Sequence, residues 1–140
     1  MRRYLLDTAL VTAYLRGRSG AVSLIQPWID ADEAATSVLV YGEAIEFFKN
    51  LPDFPRRQAL PRVFPRQIQT YDLTYAILEW YADVRRMMRS PFGPGQIGDM
   101  DTLIAATALV HDLTVVTIDS DFTRVPSFSV RHRLPVTLKS

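Results

Sequence analysis

Two periods of apolar and polar residues alternate along this chain, one suited to strands and one to helices. Tyr4-Leu5-Leu6 is a short apolar run that stops at Asp7-Thr8, and Ala9 to Leu15 continues with helical character. After a turn at Gly17 to Gly20, Ala21 to Ala31 resumes the helical period with Val22, Ile25 and Ile29 on one face. Pro27 lies inside that span and predicts two short pieces or a kink, because proline removes a backbone donor. Ala34-Ala35-Thr36 predicts a second strand. Ser37 is a good N-cap for a helix through Lys49, on which Val38, Tyr41, Ile45 and Phe48 form an apolar stripe. Ile68 to Tyr71 predicts a third strand. Asp72 follows it, in place to cap an amphipathic helix from Thr74 to Arg89, whose Ile77, Trp80, Tyr81, Val84 and Met88 should pack into a core.

The most organised stretch comes next. Ile97 to Leu109 reads as a helix, started by Gly98 and Asp99 and carrying Leu103, Ile104, Thr107 and Ala108 at apolar spacing. His111-Asp112 ends it, and Leu113 to Thr117 is a β-branched run with the look of a buried strand. A helix running directly into a buried strand is half of a βαβ unit, which predicts an α/β fold. Phe128-Ser129-Val130 suggests a last edge strand before a basic tail. Between these elements, Leu51 to Pro65 holds four prolines and should form broken helical turns or a loop. Ser90 to Gln96 is a second loop. No repeat or interdomain linker interrupts the 140 residues, so one domain over 1–140 is expected.

Composition narrows the chemistry. The chain has no cysteine, which excludes disulfides, thiolate catalysis and cysteine zinc sites. With only His111 and His132, a metal would have to be held by oxygen, which favours Mg²⁺ or Mn²⁺. A net charge of +1 says little about partners, but its distribution says more. Arg56, Arg57, Arg62 and Arg66 cluster in the proline-rich segment, and Arg85, Arg86 and Arg89 follow. Such basic surface beside an acidic pocket suits a polyanion; the plainer reading is a solvated helix face. Met1-Arg2-Arg3 before an apolar stretch has the charge of a signal peptide, yet Asp7 interrupts it and no small-residue cleavage site follows. The run Leu103 to Val110 is too short to span a bilayer, so a cytoplasmic protein with no membrane partner is expected.

The acids are placed unevenly. Asp7 and Asp119 each follow a strand, where ligands bind in open α/β sheets. Asp99 and Asp101 occupy a first helical turn, and Glu43 lies near Leu39, Val40 and Phe47 at the edge of an apolar face. Each position also has an ordinary explanation in capping or turn chemistry. Glu46, one turn on, is a second ligand or a surface charge. Thr117 is a hydroxyl that orients an acid or water, or simply a β-branched strand residue. Carboxylates gathered in one pocket repel, and a divalent cation relieves that repulsion while activating water toward a phosphodiester.

Four blocks carry a resemblance. Leu5-Leu6-Asp7-Thr8, Ser37-Val38 with Glu43, Asp101-Thr102-Leu103-Ile104-Ala105-Ala106, and Val116-Thr117-Ile118-Asp119-Ser120-Asp121-Phe122 resemble the signature blocks of PIN-domain ribonucleases. The likeness is to the VapC-type toxins of toxin–antitoxin pairs, and it covers nearly the whole chain. It implies a single PIN-like domain, with a central parallel sheet of four to five strands flanked by helices on both faces. It also implies metal-dependent endoribonuclease activity, a homodimer, and inhibition by a cognate antitoxin protein. By this resemblance Asp7, Glu43, Asp101 and Asp119 form the quartet that binds Mg²⁺ or Mn²⁺. Asp121 assists at a second ion position and Thr117 supplies a supporting hydroxyl. The Leu51 to Pro65 segment fits no signature, so the choice of RNA does not carry over. An alternative from another class is a PIN-like module that binds RNA or protein with little catalysis, although a binding module has no need to concentrate acids. A response-regulator-like phosphoacceptor pocket would want a lysine near the acids, and Lys49 and Lys139 are poorly placed for it.

Overall fold

Among the described residues five strands form one sheet in the order β3-β2-β1-β4-β5, and every neighbouring pair is parallel. The computed structural model describes residues 1–89, 93, 95–117 and the backbone of 131–133. Strand β1 is Tyr4–Leu6, β2 Ala34–Ser37, β3 Gln69–Tyr71, β4 Thr114–Val116 and β5 Arg131–Arg133. Parallel strands need crossovers, and helices supply them. Helices α1 (Thr8–Leu15) and α2 (Ser19–Asp30) join β1 to β2, and α3 (Val38–Lys49) begins the passage to β3. Helices α6 (Tyr75–Met88) and α7 (Asp99–His111) carry the chain back across β1 to β4. Right-handed crossovers in these two opposite directions place helices on both faces of the sheet. The packing agrees: α1 lies against α2 and α3, and α6 lies along α7.

The strands are short and apolar because they are buried on both sides. Leu5, Leu6, Val115 and Val116 are fully shielded, and Leu10, Ile25, Val40, Val84 and Ile104 cover them from the helices. Their burial provides most of the drive to fold, at roughly 25 cal/mol per Å² of apolar surface.

The expected elements recur with specific differences. Pro27 neither breaks nor divides α2, which runs unbroken to Asp30; the chain beyond it is held by Ala31 N–H donating to the Pro27 carbonyl at 3.1 Å. The proline-rich segment does form broken turns. It folds as α4 (Phe54–Arg57), α5 (Ala59–Val63) and a 3₁₀ turn at Phe64–Arg66, with Pro55 and Pro65 at first-turn positions where no donor is needed. Asp72 does not cap α6. Thr74 does, accepting the Ile77 N–H at 3.2 Å. On α3 the buried line is Val40, Ala44 and Phe48, while Val38 is exposed. On α6, Ile77, Val84 and Met88 are buried, but Trp80 keeps 38 % of its surface exposed, because α7 covers only part of the expected stripe. The expected strand at 128–130 lies outside the described residues; the outermost strand described is Arg131–Arg133.

The end of α7 carries a titrating group. His111 stacks on Tyr71 of β3, with ring centroids 3.7 Å apart and planes at 14°. Burial lowers its pKa below the ordinary histidine value. The unfolded chain therefore binds this proton more readily than the folded one. Its contribution is complete above about pH 6.5 and is lost as pH falls from there toward the lowered value. Urea midpoints measured at pH 7.5 and 5.5 should fall on acidification. His111→Phe, which keeps a ring against Tyr71, should show a smaller fall; an equal fall would remove His111 as the cause.

Candidate functional site

Because all five strands run the same way, their carboxyl ends share one edge of the sheet. Chain progression reverses between β1 and β4, which makes their carboxyl ends the topological switch point where α/β sheets bind ligands. Asp7 and Thr117 sit there. Leu6 pairs with Val116 in the register of β1 and β4, so Asp7 and Thr117 are the next residues out on each strand.

Asp7 is held from several directions. It is the N-cap of α1, and its carboxylate accepts the Leu10 N–H at 3.2 Å. Its own N–H donates to the Val116 carbonyl at 3.4 Å. The Thr117 hydroxyl donates to its other carboxylate oxygen. Asp7 is only 6 % exposed and Thr117 is fully buried. A carboxylate this deep is costly unless it is hydrogen-bonded, paired or bound to a cation. The two bonds to Asp7 satisfy part of that need and also fix the direction in which the group points.

Glu43 joins from α3. The Thr8 hydroxyl, one residue beyond Asp7, donates to Glu43 Oε1 at 2.5 Å, which ties α1 to α3 at this edge. Ser37 caps α3 by accepting the Leu39 N–H at 3.1 Å, and the buried Thr36 hydroxyl donates to the Leu6 carbonyl at 3.0 Å. Two strand-to-helix junctions, at Asp7 and at Ser37, are thus locked side by side. Thr8 and Thr36 were not singled out in the sequence. Thr8 had a local signal, a hydroxyl residue directly after a capping acid; Thr36 had none, because its partner is 30 residues away.

The two acids of the first turn of α7 part company. Asp99 is paired with Arg85 of α6 and accepts the Tyr81 hydroxyl at 3.1 Å, so it braces α6 against α7. Asp101 lies two residues on, about 200° around the helix. It is half-buried, beside Thr102, whose hydroxyl donates to the Gly98 carbonyl at 2.8 Å. Glu46 is exposed and takes the surface reading. Asp119 and Asp121 lie outside the described residues. Among the described residues no three acidic or histidine side chains come close enough to hold a metal ion. What the described part does provide is a set of oxygen donors only, led by one fixed and buried carboxylate with a second tied to its neighbour. That chemistry fits a hard cation, which binds through one or two carboxylates and keeps its remaining waters.

Comparison with known proteins agrees with this fold. A family model described as PIN domain matches residues 4–127. No curated protein matches the chain. Among solved structures, the chain is similar to one in the VapBC2 complex of Rickettsia felis bound to a DNA fragment from its promoter, with a TM-score of 0.79 and 19% identity over 93% of this chain and 96% of that one. It is similar to one in the DNA-bound VapBC complex of Salmonella typhimurium, with a TM-score of 0.78 and 19% identity over 95% and 98%. It is also similar to one in FitAcB from Neisseria gonorrhoeae, with a TM-score of 0.74 and 22% identity over 92% and 95%. Among the described residues no helix is long and apolar enough to cross a membrane.

Proposed function

From the premise that this chain belongs to the PIN domain family, we propose that it is a metal-dependent endoribonuclease and the toxin member of a toxin–antitoxin pair. The observation that carries this reading is Asp7: a carboxylate 6 % exposed, fixed by Leu10 and Thr117 at the switch point of a parallel sheet. A protein that only packed or bound could cap α1 equally well with an uncharged Asn and avoid burying a charge there.

In this reading Asp7, Glu43, Asp101 and Asp119 hold Mg²⁺ or Mn²⁺, and Asp121 assists. Such an ion, when bound, supplies Lewis-acid polarisation of the phosphodiester and makes water more acidic. The chain's own residues do the rest. The Thr117 hydroxyl keeps the Asp7 carboxylate in one orientation, and Thr8 does the same for Glu43. Carboxylates so fixed accept hydrogen bonds from water and aim its oxygen at phosphorus. Hydrolysis then adds that water to the phosphate and breaks one P–O bond. The solved neighbours in VapBC and FitAcB complexes support an antitoxin protein as partner, and a homodimer belongs to the same proposal.

The test is cleavage of a mixed RNA pool by the purified, partner-free protein, with Mg²⁺, with Mn²⁺ and with EDTA. Cutting should need the metal and disappear in Asp101→Asn. Asp99→Asn should cut normally and lose no more than about 1 kcal/mol of stability, as befits an ion pair whose carboxylate is 69% exposed. Cutting that survives EDTA, or full activity in Asp101→Asn, would overturn the assignment.

A further inference from the structure

A second feature lies on the same edge of the sheet. Val38, Tyr41, Arg62, Pro65, Arg66, Thr70 and Asp72 line a groove of about 400 Å³. Thr70 belongs to β3 and Asp72 follows it, while Val38 directly follows β2, so the groove opens at the carboxyl ends of β2 and β3. Asp7 is at the carboxyl end of β1, two strand spacings or roughly 10 Å from β3. Helix α3 divides its residues between the two places: Val38 and Tyr41 face the groove, whereas Glu43 meets Thr8.

The groove holds its charged side chains in an ordered way. Arg62 is held by the Gln58 side chain, to which it donates at 2.6 Å, and its guanidinium sits 5.5 Å from the Phe54 ring centroid. Arg66 is exposed. Among the described residues neither arginine has an acidic partner within ion-pair distance, although Asp72 lines the same groove. Two guanidinium groups without counter-charges, an aromatic ring and an acceptor-only carboxylate match the parts of one nucleotide: phosphate, base face and base edge.

We propose that this groove is a nucleotide subsite for single-stranded RNA, with Arg62 and Arg66 on the backbone phosphates, Tyr41 stacked on a base and Asp72 facing that base's donor edge. The repulsion between Asp72 and phosphate sets the orientation, backbone toward the arginines and base toward Asp72. The strand then continues over the start of α3 to Asp7. This deepens the nuclease reading, since it names residues that seat the substrate one step from the cut.

Binding tests it apart from cleavage. Asp7→Asn protein, which should not cut, is titrated with a labelled short single-stranded RNA at several salt concentrations. Adding Arg62→Ala and Arg66→Ala together should weaken binding and flatten the salt dependence by about 1.4 in log–log slope, about 0.7 for each lost phosphate contact. Tyr41→Ala should weaken binding about 5- to 150-fold with little change in slope, and Tyr41→Phe should restore it. Arg86→Ala and Arg89→Ala together remove an equal charge outside the groove and serve as the control. An affinity and slope unchanged by the Arg62 and Arg66 substitutions, or changed no more than by this control pair, would overturn the subsite and return the groove to a protein partner. That result would leave metal-dependent cleavage standing. An unsubstituted protein that binds the RNA through these residues but does not cut it with Mg²⁺ or Mn²⁺ would instead strike the nuclease reading.

Discussion

Replacing Asp7 by Asn is expected to abolish RNA cleavage and leave the fold intact. The two side chains have the same shape and are about equal as N-caps. An Asn oxygen can accept the Leu10 N–H, and its amide can donate to the Thr117 oxygen, whose hydroxyl proton then turns away. Both of these hydrogen bonds are kept in number, while the negative charge is lost. Stability should therefore stay level or rise, because an ionised group 6 % exposed costs more to bury than an amide. Activity should fall by at least about a hundredfold, the upper end of what losing even an outer-shell partner of a metal ligand costs. Melting temperatures with and without Mn²⁺ separate the two effects. The unsubstituted protein should be stabilised by the ion and Asp7→Asn should not. Cleavage retained in Asp7→Asn would show that the reaction does not use this carboxylate.

Thr117→Val is expected to damage both stability and activity. Valine has nearly the same outline, so the end of β4 keeps its packing, but the Asp7 carboxylate loses the hydroxyl that binds its second oxygen. Losing a hydrogen bond to a buried charged acceptor costs about 1–3 kcal/mol, which urea unfolding should detect. Without that bond, the carboxylate also loses part of what fixes its direction. Cleavage should fall about 10- to 100-fold, the range for partners that orient a metal ligand. Thr117→Ser keeps the hydroxyl and should recover most of both losses. If Thr117→Val and Thr117→Ser behave alike, the methyl group and not the hydrogen bond matters at this position.

These two residues also show how far the site could be read before folding. Asp7 announced itself, as an acid between an apolar run and a helix, and Thr117 closed a β-branched run. Helix position alone did not distinguish Asp99 from Asp101, since both are first-turn acids; only the resemblance of the block that starts at Asp101 did. Their fates differ because a residue on another helix, Arg85, reaches one of them. The role given to Asp72 failed for a related reason: Thr74, two residues later, is better placed to bond Ile77, and Asp72 is left facing the groove. The stripe on α6 was drawn from periodicity alone, which says what a helix can bury but not how wide a partner will cover it.

The sequence by itself determined the alternation of strands and helices, the apolar runs that had to be buried on two faces, and the cysteine-free, oxygen-rich chemistry. These follow from the 3.6- and 2-residue periods and from side-chain type, both of which are local. Only the tertiary structure decided that β4 lies beside β1, that Asp7 and Thr117 therefore touch across 110 positions of sequence, and that Arg62, Arg66 and Tyr41 share one groove. Strand order is set by how the whole set of apolar faces is covered at once, a property no single segment carries.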